Sequence, residues 1–148
     1  MIKLYFKTIK DKKLNEKFKD IEILRIVCGV LFKTADGRSK KYDDAIIDTG
    51  AFISLIPYSI WKNVEHKEFV KHNVKGIISK KECSLDVIIG KIKIRLIDEK
   101  NETREIEIHS YLAMTDEVPL IIGLKDILTR FKVCFDYGED EAWIEEKK

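Results

Sequence analysis

Apolar and charged residues alternate most cleanly between positions 84 and 98, where Ile92, Ile94 and Leu96 are separated by Lys93 and Arg95. A period of two sets one row of side chains against a core and the other in water, the pattern of a half-buried β-strand. The same reading predicts strands over 2–9, 21–34 and 104–114, and a short apolar strand within 118–123. Residues 35–38, Ala-Asp-Gly-Arg, carry the Asp-Gly pair of a tight hairpin, so 40–49 reads as the return strand of 21–34. The charged segment 10–20 predicts a loop or a short helix, and 57–65 allows a short helix with Pro57 in its first turn. One segment changes period: Leu124, Ile127, Leu128 and Phe131 recur at i, i+3, i+4 and i+7, the apolar stripe of a helix. Residues 132–137 and 141–146 predict a closing hairpin. The chain therefore reads as mostly β, with one clear helix in its C-terminal half.

Composition narrows the picture. With 148 residues, two Pro, seven Gly and no low-complexity tract, the expectation is one domain over 1–148. Residues 1–20 form an N-terminal extension whose role the pattern does not specify. The net charge of +2, with Lys and Glu interspersed, speaks against nucleic acid as a partner. No apolar run approaches a bilayer span, and the alternating N-terminal segment lacks the continuous apolar core of a signal peptide, so the expectation is a cytoplasmic protein without a membrane partner. Cys28, Cys83 and Cys134 are far apart, and His66, His72 and His109 add no ligand spacing to them. No disulfide framework, no metal and no cofactor is expected. The absence of Gln beside 23 Lys and 23 Ile fits a hyperthermophile and an AT-rich genome equally.

The candidate chemistry lies in 43–57, Asp-Asp-Ala-Ile-Ile-Asp-Thr-Gly-Ala-Phe-Ile-Ser-Leu-Ile-Pro. Here Asp48 ends an apolar strand, where an isolated carboxylate is costly unless it is paired or used. One reading is structural, a strand-end carboxylate capping a turn, which Asp-Thr-Gly does well. Asp-Thr-Gly alone arises by chance in about one of thirty chains of this length. Some 70 residues on, however, Pro119–Leu128 runs two apolar residues and a glycine into the helical stripe. Together, the apolar run with Asp48-Thr49-Gly50-Ala51 and this second element resemble the retropepsin-like (retroviral-type) aspartic proteases, in their prokaryotic single-domain form. The likeness covers roughly residues 21–136. An Asp-x-Gly phosphate loop of the actin-like sugar kinases is the other familiar setting, but those enzymes need two large lobes and this chain is too short.

The resemblance implies a closed β-barrel-like acid-protease domain acting as a homodimer. It implies a catalytic role for Asp48, with Thr49 and Gly50 supporting the loop; Gly50, lacking a Cβ, lets the turn crowd a partner or substrate. Such hydrolysis needs two carboxyl groups sharing one proton, and this chain has one signature, so the second Asp48 is expected from another copy. The substrate implied is a peptide or unfolded protein segment in extended form. Ala51, Gly76, Ile77, Ile78 and Ile121 are the implied binding residues, with 74–81 as the flap over the site. The alternative within the same likeness is a dimeric, protease-like peptide-binding module with weak or no hydrolysis.

Overall fold

The pattern of alternation becomes strands nearly everywhere it occurs. The computed structural model describes residues 1–18, 21–75 and 84–148, and these are mostly β. The strands are β1 (Ile2–Lys3), β2 (Tyr5–Lys10), β3 (Glu22–Lys33), β4 (Ser39–Asp48), β5 (Ser54–Ile56), β6 (His66–Lys75), β7 (Ser84–Ile97), β8 (Ile106–Ala113), β9 (Ile121–Gly123), β10 (Phe131–Asp136) and β11 (Glu141–Glu146). Three short helices are α1 (Lys12–Lys17), α2 (Tyr58–Trp61) and α3 (Leu124–Arg130). Among the described residues, no helix is long and apolar enough to cross a membrane.

Eight strands form one sheet in the order β2-β3-β4-β9-β5-β8-β7-β6, and β3 pairs additionally with β7, from Gly29↔Ile97 to Phe32↔Ile94. That second pairing bends the sheet back on itself around a core of isoleucine, leucine and valine closed by Phe32, Trp61 and Phe131. The β3–β4 hairpin turns as the Asp-Gly pair requires. Gly37 takes φ +86, a conformation glycine adopts without strain, and Thr34 N–H donates to Arg38 O at 2.7 Å. Trp61 is a packing residue whose indole N–H donates to Ala113 O at 2.7 Å. Cys28, also in the core, is chemically quiet: burial, and then the charge of Asp98, push its thiol up to about 12.

Two expectations need correction, and one strand was unforeseen. Residues 2–9 are two strands in different sheets. Leu4 is buried and its N–H donates to Ala142 O, so β1 lies on β11 while β2 lies on β3. The resulting small sheet has the order β1-β11-β10. The helical stripe is only partly a core stripe: Ile127 is buried, Leu128 is exposed, and Phe131 has already left the helix to begin β10. Strand β6 gave no sequence signal, because as an edge strand paired only with β7 it keeps polar residues on both faces.

Candidate active site

Asp48 is the last residue of β4, and its position is set by a crossing of three short strands. β9 runs parallel to β4, with Ile46↔Ile121, Ile47↔Ile122 and Asp48↔Gly123, and antiparallel to β5 at Leu55↔Ile121. It thus threads between two strands that are consecutive in the chain. The Asp48-Thr49-Gly50-Ala51 loop connects them around its end. The two elements picked out of the sequence, 70 residues apart, meet side by side.

The crossing leaves no room for a side chain at position 123. A Cβ on Gly123 would stand 2.4 Å from the carbonyl carbon of Ile53 and 2.6 Å from its oxygen. Its φ of −78 is open to any residue, so space alone demands the glycine. The Gly123 N–H donates to the buried Ser54 hydroxyl at 2.9 Å. Ser54 was not among the sequence candidates; its only signal is a hydroxyl within an apolar run. Helix α3 starts at once, and its first free N–H groups are met by the loop that follows Asp48: Leu124 N–H donates to Ala51 O at 2.9 Å and Lys125 N–H to Phe52 O at 3.1 Å.

Within the loop, Gly50 N–H donates to Asp48 Oδ1 at 2.8 Å, and Ala51 N–H to Asp48 O at 3.2 Å. The carboxylate is therefore aimed by the loop's own backbone. A Cβ at position 50 would lie 3.3 Å from that same Oδ1, so a larger residue would press on the group it orients. Asp48 and Ala51 are half-buried, Thr49 and Gly50 are exposed, and Phe52 is 62% exposed although its backbone is fixed to α3.

Ile121 is half-buried and packs with Val74 and Tyr111 on a second small core of Leu55, Leu85, Val87, Ala113 and Val118. This core joins the paired stem of β6 and β7 to the strands beside Asp48. Pairing in that stem continues as far as Lys75↔Ser84. Gly76, Ile77 and Ile78, expected to bind substrate, lie outside the described residues, as does most of the 74–81 segment. His109, which added no ligand spacing to the cysteines, has its Nδ1 3.0 Å from Asp126 Oδ1 and donates its backbone N–H to Asp126 Oδ2 at 2.7 Å, which ties β8 to α3. Among the described residues no group of three or more His, Cys, Asp or Glu could hold a metal ion. Comparisons with protein-family models, with curated proteins and with solved structures find no match.

Proposed function

We propose that the chain is a retropepsin-like aspartic endopeptidase that works as a homodimer, with one Asp48 from each copy in a single site. The observation that carries this reading is the register Asp48↔Gly123, which sets the Asp-Thr-Gly loop against the second element of the resemblance. The backbone N–H of Gly50 donates to the Asp48 carboxylate, as an Asx turn does, and so also fixes the direction of the group in the catalytic reading. Following the strand pairs β3-β4-β9-β5-β8-β7 leads back to β3, which supports a closed, barrel-type domain.

In this reading the two Asp48 carboxyls approach to about 3 Å and share one proton, since like charges that close cannot both ionise. The ionised member takes a proton from a water molecule, whose oxygen attacks the scissile carbonyl carbon. The protonated member donates its proton to the carbonyl oxygen, and collapse of the tetrahedral diol breaks the C–N bond as the amine is protonated. Thr49, exposed in the single chain, bonds across the two-fold axis in this reading. Ala51 and Ile121 flank an extended substrate, and the β6–β7 hairpin, anchored through Val74 and Leu85, is the element that covers it.

The test is Asp48→Asn, nearly isosteric and so neutral for packing. Cleavage of an unfolded protein should fall at least about 100-fold while circular dichroism is unchanged. Full activity in that variant would move the chemistry elsewhere. Wild-type protein that binds pepstatin but cleaves nothing would favour the peptide-binding module instead.

A further inference from the structure

The register of the β3–β4 hairpin carries a piece of chain past Asp48, the residue at which the proposed second copy would meet this one. Ile26 pairs with Ile47, so Arg25 is level with Asp48, and residues 22–24 continue past it with only β2 beside them. At about 3.3 Å per residue this arm reaches roughly 10 Å beyond Asp48, one to two strand spacings of about 4.8 Å to its side. β2 follows as far as Lys10↔Glu22, and α1 extends the arm, with Asp11 capping it through Leu14 N–H. The arm is soluble by its lysines, yet it exposes Ile9, Leu14, Phe18, Ile21 and Leu24. At the same end of the sheet Phe52 stands in solvent although its carbonyl is held by the Lys125 N–H. An aromatic held rigid and left bare is a strong candidate for burial by a partner.

We infer that the β2–α1–β3 arm of each copy packs against the Phe52 loop of the other, and that this contact holds the two Asp48 residues together. The inference rests on the homodimer proposed above and goes beyond it by naming the surface. Two carboxylates within hydrogen-bonding distance put the two Asp48 backbones within about 10 Å of one another, which is the arm's own reach. An arm projecting past Asp48 on one copy then meets the corresponding loop of its mate. A two-fold axis would repeat the contact, arm on loop and loop on arm. The small β1-β11-β10 sheet, by contrast, is completed within one chain.

Sedimentation equilibrium of the double variant Phe18→Glu, Leu24→Glu tests this, with Phe69→Glu on β6, at the other edge of the sheet order, as the control. Phe18, Leu24 and Phe69 are all exposed in the single chain, so the fold, checked by circular dichroism, should persist. The double variant should raise the dimer dissociation constant roughly 100-fold, and the control should leave it within about threefold. In parallel, hydrogen exchange of the wild type at about 1 and 200 μM should show amides of the arm and of 50–53 slowing as the dimer forms. A dimer that survives the double variant, or that forms without slowing exchange in the arm, overturns the inference while leaving the homodimeric protease standing. A wild type that stays monomeric at 200 μM overturns both.

Discussion

The crossing at Asp48 and the small terminal sheet both join distant parts of the chain, yet they are specified in opposite ways. At the crossing, position 123 is defined by a missing atom, and one hydroxyl, that of Ser54, answers the N–H beside it. In the terminal sheet, Ile2, Leu4, Ala142 and Ile144 are buried by ordinary side-chain packing, and at the rim Asp98 Oδ2 accepts from the Lys3 N–H. The first arrangement admits one residue and the second a range of sizes. The difference shows where backbone crowding, rather than side-chain packing, has set the sequence.

Gly123→Ala is the most severe way to test this contrast. Its new methyl must displace backbone rather than a side-chain tip, so we expect a loss of about 3 kcal/mol or more in urea unfolding. Ser54→Ala leaves the Gly123 N–H buried without an acceptor, for about 2 kcal/mol. Ile144→Val, which removes one methylene from the terminal sheet, should cost about 1 kcal/mol. If Gly123→Ala proves no worse than Ile144→Val, the crossing is not the constrained element described above.

The gentlest probe is pH. Burial raises the pKa of Asp98, but N–H donors from Lys3, Lys100 and Asn101 outweigh it and hold the carboxyl below the ordinary range. A folded-state pKa below the unfolded value of about 3.9 adds stability that is fully present above that value and is lost as pH falls through the folded one. Amides of β1 should therefore lose exchange protection below about pH 3.9 before those of β4 and β9. Asp98→Asn should remove most of that pH dependence. Simultaneous loss in both regions would sink this prediction.

The contrast also explains what the sequence disclosed. Asp48, Gly50 and the apolar-apolar-glycine element were legible because a close crossing restricts residue type. Strand β7 was legible because its two faces differ, and β6 was hidden because its faces do not. The division at Leu4 was invisible: Ile2 to Ile9 alternates regularly, and only the carbonyl of Ala142, supplied by tertiary structure, shows that the chain changes sheets there. Ser54 and the His109–Asp126 pair depend on partners far along the chain, which local patterning cannot reveal.

That division has a consequence for synthesis. Among the described residues β1 pairs with β11, Ile2 against Ile144, so as the chain emerges from a ribosome the segment Ile2–Leu4 waits for its strand partner until β11 has been made. β2, its immediate neighbour, can close on β3 long before. The nascent protein thus spends most of its elongation with two apolar residues, Ile2 and Leu4, uncovered beside an otherwise pairable hairpin, a natural foothold for a chaperone.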